Sequence, residues 1–361
     1  MDMLININQL LITKAFWSSC INFFVDFLGN YGWAIILFTI ILKIILSPLD
    51  VMQRRASKKQ TMMQAKLQPQ LAKLQQQYGN DKEKLNQKTN ELYQKEMNMK
   101  GTCLPMLISM IVTLVVFFTL FNALNAIAES KDSEIFNSLR TTYETSQTYV
   151  NTDTDYLATL EGKTTEEIET ANYNYIKSEV LKEYDELKDK HGFLWVQNLW
   201  KSDTSTSPFV SFDDYKNYYT SNVGEIADEE IFKAEYDEII EMIKSENRDN
   251  NGLFILIILA GLVTLVVQWL TQKSMAKTAN VQANSTNKIM LIVMPLLMLI
   301  FASTSNALFT LYIITNSIMS FVITKIIDLC LKDKGDNNND SKKVTKSKTV
   351  VEYSRNYFKE N

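Results

Sequence analysis

Apolar residues in this chain gather in four blocks, at 31–49, 104–124, 253–270 and 289–327, separated by long polar stretches. A helix needs about 20 mostly apolar residues to cross a bilayer. The first three blocks each supply one crossing. The fourth is too long for one and is interrupted by Ser303-Thr304-Ser305-Asn306, so it divides into two helices, 289–304 and 306–328. The predicted fold class is an all-α polytopic membrane protein with a five-helix transmembrane core, a cytoplasmic helical hairpin and an acidic, mostly helical extracytoplasmic insertion.

The polar stretches carry their own periodicities. In 50–103, Met52, Ala56, Met63, Leu67, Leu71 and Leu74 recur at spacings near three and four, and Tyr78-Gly79-Asn80-Asp81 supplies a turn, which predicts two antiparallel helices. In 125–252, Thr164-Thr165-Glu166-Glu167 opens a capping box ahead of Ile168, Ala171, Tyr175, Val180 and Leu187. A second amphipathic run there holds Ile231, Phe232, Tyr236, Ile239, Ile240 and Ile243. At the start, Asn6, Asn8, Lys14, Asn22 and Asp26 break up an otherwise apolar 1–30, which suits a helix lying in the interface better than a further span. Neither a basic start nor a clean apolar core marks this segment as a signal peptide. A short loop at 272–288 and a basic tail at 329–361 complete the division, with the third span at 253–271.

Charge orients these segments. The net charge of −4 conceals a strong asymmetry. Positions 50–102 hold 11 basic and 5 acidic residues, the loop 271–288 holds 3 lysines and no acid, and the tail holds 8 basic and 5 acidic residues. Positions 126–251 hold 12 basic and 28 acidic residues. Lys- and Arg-rich loops stay in the cytoplasm. The hairpin, short loop and tail are therefore expected inside a cell membrane, and the amino terminus and residues 125–252 outside.

Lys43 stands out against this pattern. It lies within the apolar run 33–46, where a charge costs roughly 2.5–3.5 kcal/mol on insertion scales. Five residues on, Pro48 is expected to end the helix, and no acid falls within any predicted span to pair with the cation. Such a residue is expected to face a polar cavity.

Enzyme chemistry finds little support. Gly162-Lys163-Thr164 echoes a phosphate loop, but Leu157 stands where the loop needs glycine. His191 is the sole histidine, expected in a loop, and it excludes a multi-histidine metal site. Cys20, Cys103 and Cys330 fall in separate segments and imply no disulfide framework. The expectation is no enzyme, no metal and no cofactor.

Several local patterns coincide with one family. Gly32-Trp33-Ala34-Ile35-Ile36 through Lys43 to Ser47-Pro48-Leu49, Leu67-Gln68-Pro69-Gln70-Leu71 with Lys84, Leu92 and Tyr93, and Gly101-Thr102-Cys103-Leu104-Pro105-Met106-Leu107 resemble the first core span, the hairpin and the second-span opening of the YidC/Oxa/Alb membrane protein insertases. Phe193-Leu194-Trp195 with Asn198-Leu199, Ile292-Val293-Met294-Pro295, and Leu311-Tyr312 with Asn316 are similar to later family motifs. The family usually carries Arg where this chain has Lys43.

That resemblance, to bacterial YidC-type proteins, implies an insertase and chaperone that helps client proteins enter the bilayer through a polar intramembrane groove. Lys43 is its expected centre, with Gln268, Asn316 and Thr39 as co-liners. Thr39 is the one most readily satisfied on its own helix. Met106, Met110, Phe117, Met294 and Met298 would form an apolar slide for the client helix. Arg54, Arg55, Lys58 and Lys59 on the hairpin are the expected contacts for anionic headgroups or ribosomal RNA. The partners implied are client membrane proteins and the lipid bilayer, with the ribosome and the general secretion channel as further candidates, and neither DNA nor a small-molecule substrate. The rival readings are a small-solute transporter or channel with Lys43 binding an anion, and a receptor working through its outer domain.

Overall fold

In the computed structural model of this protein the backbone is described for residues 2–96, 99–246, 250–279 and 285–330. It is almost entirely helical, and among the described residues the only strand-like feature is an isolated antiparallel bridge between Phe193 and Val196. Among the described residues eleven helices follow in order: α1 Asp2–Leu28, α2 Tyr31–Tyr78, α3 Lys82–Glu96, α4 Met99–Thr152, α5 Thr154–Ala158, α6 Thr165–His191, α7 Phe212–Asn222, α8 Glu229–Lys244, α9 Ile255–Ala279, α10 Ser285–Thr304 and α11 Ala307–Cys330. Four described segments are long and apolar enough to cross a membrane: Tyr31–Gln60, Leu107–Thr152, Ile255–Lys273 and Ala307–Cys330. Ala15–Leu28 and Ile292–Thr304 are shorter apolar helices.

Pro48 does not end the helix. α2 runs through both Pro48 and Pro69 to Tyr78. A proline removes one backbone donor and strains one turn, but the apolar residues before Pro48 and the hydrophobic spacing after it favour one helical phase.

The chain divides into two compact units. The first comprises 1–42, 112–269 and 284–317. Its apolar core takes Trp17, Ile21 and Val25 from α1, Ala34, Ile35 and Phe38 from α2, Leu120 and Leu124 from α4, Leu256 and Ala260 from α9, and Leu308 and Phe309 from α11. A second core in the same unit belongs to the acidic insertion. Phe136, Leu139 and Tyr143 on α4, Ile176, Val180 and Tyr184 on α6, Tyr215 on α7 and Phe232, Tyr236, Ile239 and Ile243 on α8 pack together there. The capping box starts α6: the Thr164 hydroxyl accepts from the Glu167 backbone N–H, and the Glu167 carboxylate accepts from the Thr164 N–H. Ile231 departs from its expected place in the core and is 59% exposed, one step off the buried face of α8.

A polar seam ties the insertion to the membrane helices of this unit. The Asn198 amide donates to Asp132 Oδ1 at 2.6 Å and to the Pro208 carbonyl at 2.8 Å. Fully buried Asp203 accepts from the Leu253 and Leu256 N–H groups at 2.8 and 2.6 Å, capping α9. The first donors of α11 are met similarly, Ala307 N–H by the Lys201 carbonyl, Leu308 N–H by the Leu199 carbonyl and Phe309 N–H by Asn306 Oδ1. These are the orphan groups every helix start leaves behind.

His191 is the last residue of α6, not a loop residue, and it is buried. Its Nδ1 accepts from Trp200 Nε1–H at 3.0 Å, and its ring stacks on Tyr31. Burial, with Lys190 and Lys131 nearby, pushes its pKa down to about 3.

The second unit comprises 43–111, 270–283 and 318–361. Its described part holds the rest of α2, the antiparallel helix α3 after the turn at Gly79 and Asn80, and the opening of α4 and end of α11.

Candidate functional site

In the second unit the sequence places one cation on the apolar part of α2, and the structure gives it a partner. Lys43 is 7% exposed. Its Nζ lies 3.3 Å from Asp50 Oδ1 and 3.2 Å from Oδ2. The expectation of an unpaired cation is thus corrected. Asp50 lies just past Pro48, in the stretch expected to form the hairpin; with α2 continuous it falls two turns on from Lys43, on the same face. Asp50 Oδ2 is buried, and the Lys43 ammonium is its polar contact.

One turn further, α2 is tied to α11. Arg54 is 6% exposed and grips Asp328 with two bonds, Nε to Oδ1 at 3.0 Å and Nη2 to Oδ2 at 2.6 Å. Lys58 Nζ adds a third contact to Oδ1 at 2.9 Å. Two of the four expected partner-contact cations are therefore turned inward onto one carboxylate, while Arg55 and Lys59 are exposed. Asp328 carried no signal in the sequence beyond its place at the end of a span. The Ser109 hydroxyl of α4 donates to the Leu49 carbonyl at 3.4 Å and lies 3.3 Å from Gln53 Oε1, both on α2.

The other expected groove residues belong to the first unit. Thr39 is buried and donates to the Ile35 carbonyl of its own helix at 2.6 Å. Gln268 on α9 is half-buried, and its Oε1 is buried without a hydrogen-bond donor. Asn316 on α11 is half-buried. Of the expected slide, Met110 is 45% exposed, Met294 and Met298 are half-buried, and the Met106 side chain lies outside the described residues. Phe117 packs edge-on against Phe301 and Phe309, so its ring serves the interior of the first unit.

The acidic insertion and residues 304–306 line a polar cavity of about 850 Å³, with Glu129, Asp132, Lys201, Asp214 and Tyr218 among its lining residues. Asp132 is committed to Lys201 at 2.8 Å and to Asn198. Among the described residues no group of three His, Cys, Asp or Glu is arranged to hold a metal ion.

Comparison with known proteins adds the family. The model described as 60Kd inner membrane protein matches residues 23–162 and 170–334. A protein named Membrane protein insertase YidC from Fusobacterium nucleatum is 41% identical over 116 residues, 32% of this chain and 53% of that protein. Proteins of the same name from Nitratidesulfovibrio vulgaris strain DP4 and Dechloromonas aromatica are 43% identical over 109 residues and 33% over 126, covering 30% and 34% of this chain. The aligned stretches span about half the length of the Fusobacterium protein and about a fifth of the other two. The family match runs through every described helix long enough to cross a membrane, and the chain is a member of the 60Kd inner membrane protein family, in line with the YidC/Oxa/Alb resemblance of its motifs.

Proposed function

We propose that this chain is a membrane protein insertase that uses Lys43 to draw acidic, polar segments of client proteins into the bilayer. The observation that carries the reading is Lys43 itself, a cation 7% exposed on an apolar helix long enough to span the membrane. A client carboxylate costs about 2.5–3.5 kcal/mol at the bilayer centre on insertion scales, and a resident cation offsets that cost during passage. Gln268 supplies an unsatisfied acceptor on α9 for a client amide or water, and Thr39, bonded to its own helix, takes a smaller part. Exposed Arg55 and Lys59 suit an anionic phosphate surface on the cytoplasmic side. The acidic insertion and the amino terminus lie outside by the charge rule. No covalent bond is made or broken in this process.

The test is complementation. Cells depleted of their own insertase receive this chain with Lys43 intact or replaced, and growth and client insertion are followed. Lys43→Arg should sustain both and Lys43→Glu neither. Equal growth and insertion with Lys43→Glu would overturn the reading. Loss of activity on removing 130–190, with Lys43→Glu silent, would favour the receptor alternative instead.

A further inference from the structure

We infer that Asp50 is a resident ligand of Lys43, occupying the cation until a client carboxylate displaces it, and that it thereby limits how tightly acidic clients are held. The inference rests on the insertase reading and names a residue that reading does not require.

The two carboxylates of the second unit differ in how firmly they are held. Asp328 receives two bonds from Arg54 and one from Lys58, at 2.6–3.0 Å. That is a structural tie. Asp50 has one cation, and both contacts lie at 3.2 and 3.3 Å. Charge-assisted N–H···O bonds normally close to about 2.7–2.9 Å, so this pair is long. Among the described residues neither Lys43 nor Asp50 makes a second ion pair; further along α2, Arg54 and Lys58 are engaged with Asp328, and Arg55 is exposed.

The helix explains the looseness. Positions seven apart share a face but sit about 10.5 Å apart along the axis. Lys43 must stretch toward the carboxyl end of α2 to reach Asp50, although long side chains on a helix lean toward its amino end. The reach costs rotamer freedom, and Asp50 Oδ2 is buried with only the 3.2 Å ion-pair contact to Lys43.

These features suit exchange. An incoming client carboxylate replaces Asp50 on Lys43, so the cation has a counter-ion before and after. Released Asp50, whose side chain is 19% exposed, regains water. A client segment with only neutral polar groups offers no such replacement. Asp50 therefore competes with acidic segments alone: it weakens their hold on Lys43 and leaves neutral segments, which do not displace it, unaffected.

The experiment uses the full chain in lipid nanodiscs and two fluorescent peptides, an apolar helix whose flanking segment carries either one Asp or one Asn. The wild-type protein should prefer the Asp peptide. Asp50→Asn should bind that peptide about tenfold tighter, within the range of couplings seen for contacting charges, and leave the Asn peptide within about twofold. Asp50→Glu should behave as wild type, and Lys43→Gln should lose the preference. Asp50→Ser carries the same expectation as Asp50→Asn should the latter not purify as a monodisperse protein; failure of both to fold would assign Asp50 a structural role and overturn the inference. A wild-type preference that does not grow in Asp50→Asn or Asp50→Ser overturns the resident-ligand role alone. No preference in any of the proteins overturns the client-binding reading beneath it as well.

Discussion

Asp328→Asn isolates the tie between α2 and α11 with little change in shape. The carboxylate holds a guanidinium that is 6% exposed and the Lys58 ammonium, both within 3.0 Å. Each contact is on the order of 5–6 kcal/mol gross at an effective dielectric of about 20, most of it offset by desolvation. Removing one partner of a fully buried pair typically costs about 3–5 kcal/mol, because the other charge is left stranded. Here the Asp328 and Lys58 side chains are 17% and 16% exposed, so water softens the loss, and we expect about 2–3 kcal/mol. The loss should be local, since the tie fastens only the last turns of α11. Hydrogen exchange read by mass spectrometry over 318–330 should accelerate about 30- to 160-fold, the same energy expressed as an opening equilibrium. Arg54→Met with Asp328→Asn should recover part of the protection, because no buried guanidinium remains unpaired. Exchange less than about threefold faster in Asp328→Asn, or a double variant as labile as the single, would refute the reasoning.

Two further outcomes follow from the first unit. His191 is neutral in the fold, with its pKa lowered from 6.5 to about 3, so the unfolded chain binds the extra proton between those values. Its contribution is complete above about pH 6.5 and is lost as pH falls toward 3, at up to about 1.4 kcal/mol per pH unit, and thermal melts of His191→Gln should show a flatter acid limb than wild type. Gly252→Ala should lower stability by about 2 kcal/mol or more, because the new Cβ would overlap the Asp203 carboxylate that caps α9; an unchanged melting temperature would contradict that role.

Much of the fold is legible in the chain because it depends on local or periodic signals. The apolar blocks give the long helices, and Thr164 with Glu167 gives the α6 cap, a contact between residues three apart. The misread features depend on competition or distance. Pro48 carries a strong local signal for a helix end, yet the residues on both sides share one helical phase and α2 continues. That single misreading hid Asp50, since a carboxylate counts as a partner for Lys43 only when the two lie on one helix. Ile231 fits the amphipathic run by spacing, but the buried stripe of α8 is narrower and leaves it outside. Asp203 and Asn251 carry no local signal, and Asn198 enters only through a motif resemblance. Their role arises from bonds to groups about 50 or more positions away in sequence, which no local pattern encodes. Arg54 and Asp328, 274 positions apart, are the extreme case.

The most direct test of the central claim uses purified chain in liposomes and a small, single-spanning client with an acidic translocated segment. Protease added outside the vesicles reports how much of that segment has reached the lumen. The account predicts a protected fragment that requires the chain, persists with Lys43→Arg and falls to the empty-liposome level with Lys43→Glu. Equal protection in empty liposomes and with the chain, or undiminished protection with Lys43→Glu, would contradict it.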